Sequence, residues 1–367
     1  MKPLGLAIIG AGASQMMYGP AFTRLKEARP VAWVDPDKTR AESAASKFGG
    51  TAYAHFEEAL AQKDVDAVVL VSPPWLHLPQ AKAAFEAGKH VLCEKPMARS
   101  VAECQQMIDS SKTHDRLLMV AFMKRFNPAL KYVKQQIDSG ELGKVFEVKV
   151  EWSWPQYHLG GWRDKRQNLG GLFFDHGSHT IDLCRWWLGE LESVSAEVRL
   201  LMQGREVEDF TQAVYRHKSG AISTHANSRM THRPLRECYT IEGSKATLTL
   251  ECINKWSFTS LEPFVVHKYV MGQATRLPEG YFCSIDDAIE SDWMYLNSLR
   301  YFCTSILENK PPEYNTGMDG LKAVEGINGA YMASHFNKTL ALPLVDPYDP
   351  DLIFDALLAK SPLIPAH

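Results

Sequence analysis

What most restricts this chain is how the apolar runs of its first roughly 120 residues end. Residues 6–9 run into Gly10-Ala11-Gly12, residues 31–34 stop at Asp35, and residues 67–71 stop at Ser72-Pro73-Pro74. Residues 90–93 stop at Glu94-Lys95-Pro96, and residues 117–121 form a fifth run. Between them lie Ala- and charge-rich stretches such as 39–48 and 78–87. Short apolar strands alternating with helices predict an α/β arrangement with a parallel sheet, because crossover helices cover both faces and leave no polar side.

After about residue 125 the pattern changes to alternation. Val145, Glu147, Lys149 and Glu151 interleave with Phe146, Val148, Val150 and Trp152, and similar stretches recur at 193–202, 211–216, 221–229, 240–242 and 247–251. Period two predicts an antiparallel sheet with one covered face. Helical patterns flank it at 128–139, 175–188, 286–307 and 318–334, and the Pro-rich residues 340–367 are expected to wrap a surface. These changes predict a parallel α/β domain over 1–123, a second α+β domain with a large, mostly antiparallel open sheet over 124–343, and a C-terminal surface tail over 344–367.

The chain has 367 residues, and two or three domains of about 150 residues each are enough to build cores without disulfides or a structural metal. Lys plus Arg is 40 against 43 for Asp plus Glu, a net charge of -3, which argues against a nucleic-acid partner. Seven scattered cysteines form no C-x-x-C and fit a reducing, cytoplasmic compartment. No apolar stretch is long enough to span a bilayer, and a first strand so close to Met1 leaves no room for a signal peptide.

Three motifs carry chemistry. The turn Gly10-Ala11-Gly12-Ala13-Ser14-Gln15 follows the first strand, where two glycines let a pyrophosphate approach backbone N–H groups at a helix start. Gln15 stands where the fingerprint has its third glycine, so a Gly-rich turn without a ligand is the bland alternative. Asp35 lies 23 positions after Gly12, near the spacing of the acid that bonds the adenosine ribose, and no Lys or Arg precedes Lys38 to hold a 2′-phosphate. NAD is therefore expected over NADP; the competing role for Asp35 is a turn or N-cap. The second motif, Glu94-Lys95-Pro96, ends the fourth strand, where ligands of open α/β sheets sit. Lys95 can hydrogen-bond a reacting hydroxyl there, or simply pair with Glu94 on the surface.

The third motif runs from Gly170 through Asp175-His176-Gly177-Ser178-His179 to Asp182. A helix beginning at Asp175 would place Asp175, His179 and Asp182 on one face at i, i+4 and i+7. A carboxylate beside an imidazole makes a general base, while a helix cap and a packed histidine are the plainer possibility. His176, His179 and Asp182 do not make a convincing metal site, because no H-E-x-x-H is present; no metal is expected.

In order and spacing these motifs resemble the glucose–fructose oxidoreductase / inositol dehydrogenase / rhizopine catabolism (Gfo/Idh/MocA) family, from the first strand to about Pro343. The most specific points are Ala87-Gly88-Lys89-His90-Val91 with Glu94-Lys95-Pro96, and Asp175-x-Gly177-x-His179-x-x-Asp182; Ser72-Pro73-Pro74-Trp75-Leu76-His77 is similar to the family's T-P-N-x-x-H segment. The resemblance implies an NAD-binding Rossmann domain followed by a substrate domain. It implies catalytic roles for Lys95, Asp175 and His179, with His179 taking the hydroxyl proton, Asp175 orienting it and Lys95 bonding the same oxygen or the ribose. Base and hydride acceptor must flank one C–H for such chemistry. It further implies cofactor contacts from Gly10, Gly12, Ser14, Gln15, Asp35, Ser72, Pro73, His77, Glu94, Lys95, Trp162 and Arg163. Substrate contacts are implied for Lys95, Arg125, Tyr157, Trp162, Arg163, Asp175 and His179. Gln15, Tyr18 (for a frequent His) and Pro74 (for Asn) depart from the family pattern.

Trp152, Trp154, Tyr157, His158 and Trp162 suit the apolar faces of a pyranose or cyclitol, or else form a core seam. Arg163, Lys165 and Arg166, with Arg229, His232 and Arg233, are candidates to receive an anionic sugar. The resemblance thus leads to an NAD-dependent dehydrogenase acting on a ring hydroxyl of a sugar, glycoside or inositol. The alternative is an NAD-dependent glycosidase that oxidises, eliminates, hydrates and re-reduces. A non-catalytic NAD sensor is disfavoured by Lys95, Asp175 and His179. Family members pair through the open sheet face, so a homodimer or homotetramer is expected, with Ser223, His225, Asn227 and Arg229 lining that face or lying in solvent.

Overall fold

The computed structural model describes residues 2–155, 161–168, 170–253, 264–278, 293–345 and 350–359. Contacts divide the chain into two compact units, residues 1–123 with 290–322 and residues 124–289 with 323–367.

The first unit is built on six parallel strands: β1 (Leu4–Ile9), β2 (Ala28–Val34), β3 (Thr51–Tyr53), β4 (Ala67–Leu70), β5 (His90–Cys93) and β6 (Leu118–Val120). Their order is β3-β2-β1-β4-β5-β6, so the order reverses between β1 and β4, and ligands of such sheets bind beyond the carboxyl ends of the strands there. β1 and β4 are buried at every position, which explains their unbroken apolar runs. β3 is a three-residue edge strand with no fully buried position, too short and too polar to stand out in the sequence. Helices α1 (Ser14–Met17), α2 (Lys38–Phe48), α3 (Phe56–Leu60), α4 (Pro74–Glu86) and α5 (Val101–Thr113) connect the strands. Asp37 caps α2 by accepting from the Thr39 N–H at 3.2 Å.

Residues 293–322, assigned from sequence to the second domain, pack with this first unit. The Tyr295 ring meets Tyr18 edge-on at 5.4 Å, Arg300 pairs with Glu27 at 3.6 Å, and Val120 N–H donates to the Asn315 carbonyl at 2.7 Å.

The second unit holds a nine-stranded sheet: β7 (Val145–Pro155), β8 (Leu191–Arg199), β9 (Phe210–His217), β10 (Ile222–Thr231), β11 (Arg236–Gly243), β12 (Thr247–Ile253), β13 (Val265–Val270), β14 (Gln273–Arg276) and β15 (Leu340–Ala341). The order is β14-β13-β12-β11-β7-β10-β9-β8-β15, parallel between β7 and β10 and antiparallel elsewhere. Helices α6 (Pro128–Asp138) and α7 (Ser178–Leu188) bury Leu130, Leu183 and Trp187 with Val148, Tyr239 and Leu250 of the sheet. Helix α8 (Met294–Leu307) belongs to the first unit, and α9 (Gly317–Phe336), whose residues from 323 on belong to the second, places Ile327 and Tyr331 against Val194 and Val198.

Two sequence expectations are corrected here. Ser223, His225, Asn227 and Arg229 are each 1 % exposed or less, so they neither lie in solvent nor line an interface between copies. Side chains alternate along a strand, and the open face carries the other parity: Thr224, Lys149, Thr240 and Thr249 lie side by side across β10, β7, β11 and β12. Lys149–Glu242 and Arg236–Glu251 pairs, both 3.4 Å, lie on it. The 344–367 segment is not simply a surface tail. Residues Pro350–Ala359 form helix α10, whose Ile353 and Leu357, spaced i and i+4, are buried with Val198, Tyr331 and Leu342.

Among the described residues, the six cysteines are all buried, no metal-binding cluster occurs, and no helix is long and apolar enough to cross a membrane.

Candidate active site

In the first unit the turn after β1 is shaped by its glycines. Gly10 has φ +100°, and a Cβ there would lie 3.0 Å from the Val71 carbonyl, so the backbone just after β4 crowds out a side chain. A Cβ on Gly12 would instead point into open space, with Arg40 Nη1 at 3.9 Å as its nearest neighbour. Asp35, 7 % exposed at the end of β2, organises this turn. Its Oδ2 accepts from Ala11 N–H at 2.9 Å and its Oδ1 from Asp37 N–H at 2.9 Å. Each carboxylate oxygen keeps a further lone pair for a ligand hydroxyl. A close-approach glycine, a second glycine opening on space and a fixed carboxylate between them fit the pyrophosphate and ribose of a dinucleotide.

Gln15 stands at the position of the missing third glycine and braces the turn. Its amide donates to Ala11 O at 2.7 Å and Arg40 O at 3.2 Å, and it accepts from Ser43, so it ties the turn to α2. Ser14 Oγ donates to Gly10 O. These side chains are engaged by protein groups and shape the turn from behind.

Beyond β5, Glu94 is 6 % exposed; its Oε1 accepts from the Tyr18 hydroxyl at 2.6 Å and its Oε2 from Lys95 N–H at 3.1 Å. Burial and the Glu94 charge push the Tyr18 phenol well above its ordinary value, so it stays a donor. Lys95 begins the exit from the strand through a cis bond to Pro96. His77, expected among the cofactor contacts, is 1 % exposed. Its Nε2 lies 2.7 Å from Ser72 O and its Nδ1 3.2 Å from both Pro96 O and Met97 O. It therefore staples the loop after β4 to the loop after β5, and burial lowers its pKa. Ser72 Oγ donates to Gln80, and Pro73 is the N-cap of α4.

In the second unit, Asp175 does not begin a regular α-helix. It lies in a π-helical turn, Phe173–Gly177, and α7 starts at Ser178. Single π-turns are frequent at functional sites. Asp175 is 3 % exposed and takes the Arg163 Nε–H at 2.8 Å, with His176 Nε2 at 3.6 Å. His179 is 2 % exposed, in the first turn of α7. Asp182, further along α7, is gripped by Arg125 with two hydrogen bonds of 2.8 and 2.6 Å, both partners buried. Arg125, expected to touch substrate, thus holds α7 in place.

His176 stacks on Trp152 with ring centres 3.8 Å apart, and Trp154 meets Trp152 edge-on at 4.7 Å. Trp152 and Trp154 are buried with Leu172 and Leu235, so these two indoles form a core seam and not a platform. Tyr157, His158 and the Trp162 side chain lie outside the described residues.

Five of the six candidate anion receivers, all but His232, already hold carboxylates. Arg163 pairs with Asp175, Lys165 with Glu206 at 2.6 Å, Arg166 with Asp355 at 2.5 Å, Arg229 with Asp164 at 2.6 Å and Arg233 with Glu151 at 2.6 Å.

Residues 4–122 match the model of an oxidoreductase family with an NAD-binding Rossmann fold, and residues 130–249 match the Gfo/Idh/MocA C-terminal domain. The chain is 32% identical over 210 residues to the levoglucosan dehydrogenase of Pseudarthrobacter phenanthrenivorans, covering 53% of this chain and 54% of the relative. It is 26% identical over 325 residues to the myo-inositol 2-dehydrogenase of Thermotoga maritima, covering 87% and 92%. The matches to the first curated relatives span little more than half of their length. Among solved structures, the WlbA dehydrogenase of Bordetella pertussis in complex with NADH and UDP-GlcNAcA superimposes with a TM-score of 0.79 at 25% identity, covering 94% of this chain and 99% of that one.

Proposed function

Because the chain belongs to the Gfo/Idh/MocA family of NAD-binding oxidoreductases, we propose that it is a dehydrogenase that oxidises a ring hydroxyl carbon of an uncharged sugar, glycoside or cyclitol. The observation that carries this is the turn at Gly10 and Gly12 with Asp35 fixed beside it by two backbone N–H groups. Asp35 holds the adenosine ribose through its remaining lone pairs, and the Gly12 turn receives the pyrophosphate at a helix start. When bound, NAD supplies the hydride acceptor.

The remaining work belongs to this chain's side chains. Lys95 donates a hydrogen bond to the substrate hydroxyl oxygen, and His179 takes the hydroxyl proton. Loss of that proton lets the oxygen electrons form the carbonyl as the hydride leaves carbon. Asp175 orients the base and is itself aimed by Arg163. Arg125 acts through Asp182 to keep α7 in register. An uncharged substrate is favoured because five of the six basic side chains singled out by sequence as anion receivers are paired with carboxylates. Two copies are proposed to pair through the open sheet face bearing Thr224, Lys149, Thr240 and Thr249, which sedimentation would check.

The test is a panel of cyclitols, sugars and nitrophenyl glycosides, followed at the reduced-cofactor absorbance band. NADH accumulating with a polyol supports the proposal. Nitrophenol released without NADH would replace it with a redox-neutral glycosidase, and absence of calorimetric NAD binding would overturn it.

A further inference from the structure

Thr180, the residue after His179 in α7, ends a line of buried polar groups that the proposed chemistry does not use. His217 Nδ1 is 2.8 Å from Gly189 O, and its Nε2 is 2.9 Å from Ser223 Oγ. Ser223 Oγ is 3.2 Å from His225 Nε2, and His225 Nδ1 is 3.1 Å from Thr180 Oγ1. All four side chains are 1 % exposed or less.

One fixed end determines every proton. The Gly189 carbonyl can only accept, so His217 carries its hydrogen on Nδ1. A neutral His217 then offers a lone pair at Nε2, which takes the Ser223 hydroxyl hydrogen. The Ser223 oxygen must in turn accept from His225, which places that ring's hydrogen on Nε2. The Nδ1 lone pair of His225 is left for the Thr180 hydroxyl. This ordering also decides between the two acceptors near Thr180 Oγ1, since Gly177 O lies 3.2 Å away on the other side. Burial keeps both rings neutral, pushing His225 down to about 3 with help from His217. Arg185 and Glu190 act on His217, Cys184 on Ser223, and the Tyr215 and Phe173 rings enclose His225.

Gly189 is the C-cap of α7 and Thr180 stands in its first turn, next to His179. The line therefore fastens both ends of the helix to strands β9 and β10, with one hydrogen bond per joint and a single direction. We infer that His225, itself oriented by Ser223 and acting through the Thr180 hydroxyl, is a positioning residue for His179. This rests on the proposed proton-accepting role of His179, and the experiment below separates the two.

Nitrogen-15 spectra of the histidine rings, assigned by single replacements, read the line without any substrate. His217 is expected as the Nδ1–H tautomer and His225 as the Nε2–H tautomer, neither titrating near its ordinary value. Thr180→Val, which removes the hydroxyl at constant shape, should move the His179 ring resonances and the pH profile. It should lower kcat about tenfold with KM changed less than about twofold, as a misplaced base does. Thr180→Ser should restore both. A His225 ring protonated on Nδ1, or unmoved His179 resonances in Thr180→Val, would overturn the inference. Expected tautomers and shifts without dehydrogenase activity on any polyol would leave the positioning intact and remove the proposed function.

Discussion

The Tyr18 hydroxyl donates a 2.6 Å hydrogen bond to the buried Glu94 carboxylate, 76 positions further along the chain. It links the helical segment after the glycine turn to the end of β5, so a departure from the family pattern at position 18 has a structural partner. Glu94 has its other oxygen on Lys95 N–H, and the pair therefore sets where the Lys95 backbone leaves the strand. Tyr18→Phe removes one donor from a carboxylate that stays buried, which costs about 1–3 kcal/mol. A lower melting temperature and weaker NAD binding by calorimetry are expected. An unchanged melting temperature would show that Glu94 finds another donor at no cost.

Asp35 should set the choice of dinucleotide. Both of its oxygens are already aimed by backbone N–H groups, so the side chain cannot swing away from a ribose hydroxyl without losing two hydrogen bonds. A 2′-phosphate would meet this carboxylate at close range and be repelled. Asp35→Arg should weaken NAD binding by more than about tenfold, a loss of roughly 1.4 kcal/mol, and bring NADP affinity up toward it. Calorimetric affinities unchanged for both cofactors would take Asp35 out of the ribose site.

The parallel sheet was legible because its strands are covered on both faces, and an unbroken apolar run as short as β4, buried at all four positions, fits little besides a central strand between helices. β3 was not legible because an edge strand of three half-exposed residues buries too little to mark the sequence. The antiparallel sheet was legible as a period but not as a polarity. Alternation along β10 says that two faces differ, yet the buried one is lined by Ser223, His225, Asn227 and Arg229, the set that looks solvent-facing by residue type. Buried polar groups that bond one another, or pair as Arg229 does with Asp164, cancel the hydropathy signal. The glycine turn, Asp35 and Glu94-Lys95 could be found because strand ends carry them. The Arg125–Asp182 clamp joins residues 57 apart, and nothing local in the chain announces it.

Lys95 and His179 should both matter to turnover and little to cofactor affinity, because their proposed partner is the reacting hydroxyl. Lys95→Ala and His179→Ala are each expected to lower kcat by about 10²–10⁴-fold, the usual contribution of positioned proton transfer, with calorimetric NAD affinity within about threefold of wild type. Wild-type turnover in either variant removes that residue from the chemistry.

Glu208 makes stability depend on pH in a direction opposite to most carboxylates. It is fully buried, its Oε1 accepts Phe173 N–H at 2.7 Å, and a Cβ on Gly171 would come within 2.0 Å of its Oε2. Gly171 has φ +129°, so this close approach belongs to glycine alone and sets the start of the π-turn that carries Asp175. Burial pushes the carboxyl up to about 7 from 4.5, outweighing the Phe173 N–H, Tyr331 and Arg229, which act to lower it. The folded chain thus holds a proton that the unfolded chain releases from 4.5 upward. The stability this group contributes is complete below 4.5 and is lost as pH rises through about 7. Glu208→Gln keeps the acceptor for Phe173 N–H and removes the titration. Its melting temperature should vary less than the wild type's across that window and exceed it on the alkaline side. Parallel melting curves for the two proteins at every pH would mean that Glu208 does not titrate between those limits in the folded chain.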